Sequence, residues 1–364
     1  MLLVAFVVLG LPSGAFGVAW PSIRAEFGLP LSALGLVVIA SGAGFIASST
    51  ATGWALATLG TGRLVALAAG VLGAGLAAFG LGLSWPFCLG AAVVTGVGGG
   101  LLDAGLTAHV ALHHGLRSMN ALHAAWGVGA TLGPLVLTAA LAMPGSWRAG
   151  YMAMAALTVL LAGVFFFTMA APAGREGLPA ERHRSPRLGP AMLLALALFF
   201  LYVGVEGGTG TWAYSFLTDG RMAPVAAGLL VSAYWGALTG GRALLALVVK
   251  RSRPERLLDV SLGLTLLGVL LLVAGWSPAL LLIGLGLAAV YPALMTLTPK
   301  RLGRDRATFA VGYQTAAGNL GGTLLPAAAG LALQAGGLGL LPWLVLAGGL
   351  VLAGLHLAAA RLPS

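Results

Sequence analysis

The chain has 364 residues, 59% of them apolar and only 8% charged, with a mean hydropathy of +1.00. A soluble domain needs roughly 25% charged residues to cover its water-facing surface, so the composition excludes a soluble globule, a disordered chain and a separate soluble enzyme module. The formal net charge of +10 comes from basic residues strung singly or in short groups between apolar runs, which is the pattern of membrane-face loops and not of a nucleic-acid surface.

A helix of about 20 apolar residues crosses the hydrocarbon core. Apolar runs near 2–20, 31–56, 63–83, 86–112, 119–142 and 147–170 predict six spans. A polar stretch follows at 171–189, and six further runs lie near 190–217, 222–249, 256–276, 278–299, 306–334 and 337–360. The first run, with Met1 to Gly10, reads as part of a span and not as a removed leader. The expected fold is an all-α membrane protein of twelve transmembrane helices, with an N-terminal six-helix bundle over 1–170, a cytoplasmic basic linker over 171–189 and a C-terminal six-helix bundle over 190–364.

Charge placement gives the orientation. With the N-terminus inside, fifteen of the nineteen Lys and Arg residues fall on the cytoplasmic side, Arg24, Arg148 and Arg221 fall on the other, and Arg242 lies within a span. That asymmetry predicts a cell (inner) membrane protein with both termini cytoplasmic. The linker, with Arg175, Arg182, Arg184 and Arg187, is expected against anionic headgroups.

The halves echo each other. Gly10 to Gly17 in span one parallels Gly204 to Gly210 in span seven, and His123, Gly127 and Pro134 in span five parallel Gln314, Gly318 and Pro326 in span eleven. A six-helix unit used twice is the internal repeat of many secondary transporters, which hold substrate near the bilayer midplane between the halves.

Ionisable groups inside spans carry the functional signal, because burying one costs at least about 2.5–3.5 kcal/mol. Asp103 in span four and Glu206 in span seven qualify, as proton sites or substrate ligands; a structural helix–helix hydrogen bond is the other reading of each. Arg242 lies eight residues before Lys250, about 12 Å inside the cytoplasmic end. It is expected to close a cytoplasmic gate by pairing with polar groups of spans four and five, unless its stem merely snorkels. Asn120 and His123 share one face of span five. With Trp126, Trp212, Tyr234, Tyr291, Gln314 and Asn319 they offer amides, phenols and indoles to a neutral, hydroxyl-rich solute, although aromatic residues in a helix also serve plain packing. Trp85, Trp147, Trp276 and Trp343 are placed in interfacial belts, and Trp235 within a span. The single cysteine, Cys88, allows no intrachain disulfide, and no metal or cofactor site is expected.

This arrangement resembles the major facilitator superfamily over essentially the whole chain. Its loop motif after span two is partly kept in Gly53 to Arg63, with Ala57 and Thr58 in place of the acid and first base. Four stretches are similar to the fucose/galactose/glucose–proton symporter group: Gly98 to Ala104 around Asp103, Asn120 to Gly129, Tyr202 to Gly208 and Gln314 to Gly321. The resemblance implies an acid with a functional role at Asp103. It departs at Gly17, where the fucose branch has a second acid. It departs also at Leu137-Thr138, where an antiporter signature beginning at Gly129 would continue as Gly-Gly.

The resulting expectation is a monomeric secondary transporter, not an enzyme, that moves a small-molecule sugar with protons by alternating access. Asp103 and Glu206 handle the proton, membrane lipids surround it, and nucleic acid plays no part. An exporter of amphipathic compounds is the first alternative. An intramembrane hydrolase is the second, although no His-Glu-x-x-His or Gly-x-Ser-x-Gly pattern occurs.

Overall fold

The computed structural model describes residues 1–113, 116–143, 146–169, 189–248 and 253–361. Lipid offers the backbone no hydrogen-bond partners, so a spanning segment satisfies its own N–H and C=O groups as a helix. The described residues are accordingly helices and short connections, without a strand. In order they are α1 (Leu2–Phe27), α2 (Leu34–Leu81), α3 (Trp85–His113), α4 (Leu116–Ala142), α5 (Trp147–Met169), α6 (Pro190–Asp219), α7 (Pro224–Val248), α8 (Pro254–Val273), α9 (Ala279–Leu287), α10 (Val290–Leu302), α11 (Arg304–Gly336) and α12 (Leu341–Arg361). The chain divides into two compact units, Met1–Glu181 and Arg182–Ser364. Residues 171–188 of the expected linker lie outside the described residues.

Among the described residues ten helical stretches are long and apolar enough to cross a membrane, and the run Leu31–Leu81 holds 51 residues, enough for two crossings. The loop expected at 57–62 is reduced to one non-helical residue, Gly60, at φ 73 and ψ 163. A side chain at Gly60 would be strained there, whereas glycine accepts positive φ freely. Just past this bend, the hydroxyl of Thr61 meets Nδ1 of His109 at 3.2 Å.

The run expected at 278–299 is one candidate span, Ala279–Leu302, interrupted at Ala288–Ala289 into two helices, α9 and α10. Pro292 accounts for the break: it has no N–H, and its ring crowds the carbonyl four residues earlier, that of Ala288.

Small residues set the pairings, and the pairings repeat. In the first unit α1 lies on α4 through Gly10, Gly14, Gly129 and Gly133; a Cβ on Gly14 would stand 2.8 Å from the Ala130 carbonyl. In the second unit α6 lies on α11, where a Cβ on Gly318 would meet Val203 at 3.0 Å. The second arm of α2 meets α5 at Gly73 and Val159, and α8 meets α12 at Leu266 and Gly349. The internal repeat read from the sequence thus reappears as matching helix pairs within each unit. Close backbone approach of this kind drives helix association in lipid.

Gly129→Leu is expected to force α1 off α4, since a Cβ there already collides with the Val7 carbonyl. Overpacking costs about 1–3 kcal/mol or more when backbone must move. Cys88 is fully buried in the same unit, so its reaction with a thiol dye should occur at a clearly lower temperature in this variant.

One end of the first unit is closed by a polar clasp among aromatic rings. Glu26 accepts hydrogen bonds from Trp147 Nε1 (2.8 Å) and from Arg148 (2.6 Å). The same guanidinium donates to the Gly82 carbonyl at 3.0 Å, just past the end of α2. Trp147 is therefore not a belt residue. It is 1% exposed and packed against Phe79 and Tyr151, and the Glu26 carboxylate satisfies its indole N–H there. Trp276 and Trp343 are exposed.

Candidate functional site

Glu206 lies on α6, where one face carries Tyr202 four residues earlier. A lone carboxylate in an apolar span would be very costly, and α7 supplies the compensation. Arg242 Nη2 donates to Glu206 Oε2 and to the Tyr202 hydroxyl, each at 2.9 Å. The Tyr202 hydroxyl donates to the Glu206 carboxylate and also approaches the Leu287 carbonyl at 3.2 Å. Leu287 is the last residue of α9, so the broken helix places a backbone acceptor at the cluster. From α7, the Tyr234 hydroxyl donates to the Glu206 backbone carbonyl at 2.8 Å. Tyr291, beside the break, sits with its ring 6.1 Å from that of Tyr202. Residues of α6 and α7 thus meet at one carboxylate, and the end of α9 joins them through Tyr202. Glu206 is 6% exposed, and Tyr202 and Tyr234 are fully buried.

From the sequence, Arg242 is expected to pair with polar groups of spans four and five. Its described hydrogen bonds and ion pair go to Glu206 and Tyr202 in its own unit. The reason is proximity along the chain: α6 and α7 are consecutive and antiparallel, so a carboxylate and a guanidinium at similar depth meet directly. Its Nε atom is buried and has no hydrogen-bond partner among the described residues.

Asp103 differs from Glu206. It is half-buried on α3 and makes no hydrogen bond or ion pair among the described residues. It stands one turn beyond Gly99, where an added Cβ would lie 3.4 Å from Leu9 and 3.5 Å from Phe45. Among the described residues no cation pairs with the acid.

The remaining predicted residues are dispersed. His123 is exposed, with its ring edge-on to Phe6 at 6.1 Å, and Trp126 is half-buried. The side chain of Asn120 lies outside the described residues. Trp212 is fully buried and donates to the Pro326 carbonyl at 2.8 Å, so its indole N–H is engaged in tying α6 to α11. Gln314 is buried and accepts from the Thr298 hydroxyl at 3.1 Å. Asn319 is half-buried. Among the described residues no group of side chains could hold a metal ion.

Tyr202 and Thr298 join the site unannounced by composition, although the spacing of four residues between Tyr202 and Glu206 is a usable signal. A second polar chain is equally unannounced: Asp259 meets His356 Nε2 at 2.9 Å and Arg301 meets His356 Nδ1 at 3.1 Å. Those three residues come from α8, α12 and α10, and nothing in their spacing joins them.

Apolar helices long enough to cross a membrane, paired through small residues, define a multi-pass membrane protein. The chain belongs to the Major Facilitator Superfamily, whose sequence model matches residues 2–326. Membership makes it a transporter and not an enzyme. Its fold is shared by several solved structures. One is the inward-open xylose transporter XylE from E. coli, with TM-score 0.78, 14% identity, and 99% of this chain and 94% of that one covered. Another is the nucleoside transporter NupG, with TM-score 0.79, 12% identity, and 99% of each chain covered. A third is FucP in the outward conformation, with TM-score 0.65, 17% identity, and 100% of this chain and 98% of that one covered. No curated protein sequence matches it.

Proposed function

We propose that this protein is a secondary active transporter that moves a small neutral polar solute, a sugar first among them, by alternating access and together with protons. The observation that carries the reading is the contrast between its two intramembrane acids. Glu206 has its charge compensated by Arg242, whereas Asp103 has no partner among the described residues. An uncompensated acid in an apolar span is costly when charged and far less so when a proton neutralises it, which makes Asp103 the proton carrier. Glu206 then serves as the anchor of a polar cluster. Arg242 acts as a gate residue through its own-unit partners Glu206 and Tyr202, which a hydroxyl-rich solute would compete for.

Asn120, His123, Trp126, Tyr291, Gln314 and Asn319 are assigned to the solute, with Trp212 and Tyr234 holding that lining in place. A similar solved structure is titled a D-xylose-proton symporter, with TM-score 0.78, 16% identity, and 99% of this chain and 95% of that one covered, and NupG adds nucleosides to the candidate solutes. In this reading the protein is a monomer in the cell (inner) membrane, with both termini cytoplasmic, as the basic-residue asymmetry requires.

The test is uptake by the full chain in vesicles under an inward proton gradient, with labelled hexoses, pentoses and nucleosides. Gradient-driven accumulation of at least one is expected. Accumulation of none, with lowered cellular content of amphipathic toxins in a resistance panel, would replace the reading by an exporter.

A further inference from the structure

The second arm of α2 and α5 pack tightly at Gly73, where an added Cβ would lie 3.2 Å from the Val159 backbone nitrogen. Toward the Gly60 bend they part. Gly70 on α2 and Gly163 on α5 have nothing within 4 Å of an added Cβ, so these small residues do not serve close packing as the others do. Between the two helices runs a groove of about 530 Å³, lined among others by Ala66, Leu67, Ala162, Gly163 and Phe166. Leu67 and Phe166 are 50% and 57% exposed. Its volume falls within the range of small-molecule sites, and its walls are apolar except at one point.

That point is Arg63, three residues past the bend. Its side chain is exposed and has no ion pair among the described residues. Only two acids are described in this unit: Glu26 is held by Arg148, and Asp103 has no cationic partner. The groove therefore combines a hydrocarbon-lined trough with one guanidinium at its head that has no ion pair among the described residues. An acidic phospholipid matches both parts: an acyl chain fills the trough, and the phosphate takes the bidentate hydrogen bonds that a guanidinium favours.

We infer that the α2–α5 groove is a binding site for one acidic phospholipid, with its phosphate on Arg63 and an acyl chain along Ala66, Gly163 and Phe166. The site is separate from the Glu206 cluster and does not depend on the transported solute. The lipid lies between two helices that would otherwise be splayed, so it wedges the bend end of the first unit.

Native mass spectrometry of the purified full chain, with phosphatidylglycerol or phosphatidylcholine of equal chain length added, tests this. The wild type should retain phosphatidylglycerol at least fivefold over phosphatidylcholine, with one lipid held per chain. Arg63→Gln should remove that preference while leaving weak retention of both. Gly163→Leu, which fills the trough and leaves Arg63 intact, should reduce retention of both lipids. Inorganic phosphate alone should not bind. Unchanged preference in Arg63→Gln, unchanged retention in Gly163→Leu, or a dimer of the chain in place of the bound lipid would each overturn the site. Burial of the Cys88 thiol in the variants reports that they are folded.

Discussion

Reconstituted Asp103→Asn protein is expected to accumulate solute to the same level with and without an inward proton gradient, while still exchanging labelled for unlabelled solute. One pH unit is worth about 1.4 kcal/mol per proton, so a coupled wild type should concentrate its solute roughly tenfold for each unit imposed. Asparagine keeps the shape of the acid but neither gains nor loses a proton, and the gradient then has nothing to act on. Because Asp103 is half-buried and makes no hydrogen bond among the described residues, the exchange leaves no partner stranded and should not unfold the chain. Gradient-driven accumulation and solute counterflow, measured on the same vesicles, separate the coupling step from translocation. A variant that still concentrates solute in proportion to the gradient would place the proton elsewhere.

Arg242→Gln should be the most destabilising of the site variants. It leaves the Glu206 carboxylate inside the second unit without its cation, and breaking a buried pair by removing one partner costs about 3–5 kcal/mol. Arg242 is 17% and Glu206 8% exposed at the side chain, so solvent screens the pair little. Glu206→Gln combined with Arg242→Gln removes both charges and should recover most of that loss, since the penalty lies in the stranded ion. Arg242→Lys should fall between, because it restores the charge but carries it on a compact, more strongly hydrated ammonium in place of the guanidinium whose Nη2 serves both Tyr202 and Glu206. Thermal unfolding in detergent, followed by the fluorescence of the buried Trp212 and Trp235, reads all three. A double variant as unstable as Arg242→Gln alone would mean that the cluster is held by packing and not by its charges.

How much of this was legible follows from what each feature depends on. Ionisable residues inside apolar runs could be picked out by composition alone, because the cost of a charge in hydrocarbon belongs to the residue and its depth. The pairing of Glu206 with Arg242 could not, because it depends on how α6 and α7 are rotated about their axes. The same holds for Trp147. A tryptophan near a span end reads as a belt residue until Glu26, 121 positions away in sequence, is found beside its N–H. The break before Pro292 was within reach, since the proline rule is local.

The sequence by itself determined that the chain lives in a membrane, that it is helical, that it repeats a unit of paired helices, and which two acids sit in its spans. These follow from hydrophobic transfer and from the backbone's need to satisfy its own hydrogen bonds in lipid, both of which act residue by residue. The packed helices alone show that one acid is compensated while the other has no partner among the described residues, that Tyr202 and the Leu287 carbonyl belong to the cluster, and that α2 and α5 part to leave a groove headed by Arg63. Those outcomes rest on helix rotation and on where two backbones touch or separate, quantities set by many small contacts at once and written in no single stretch of chain.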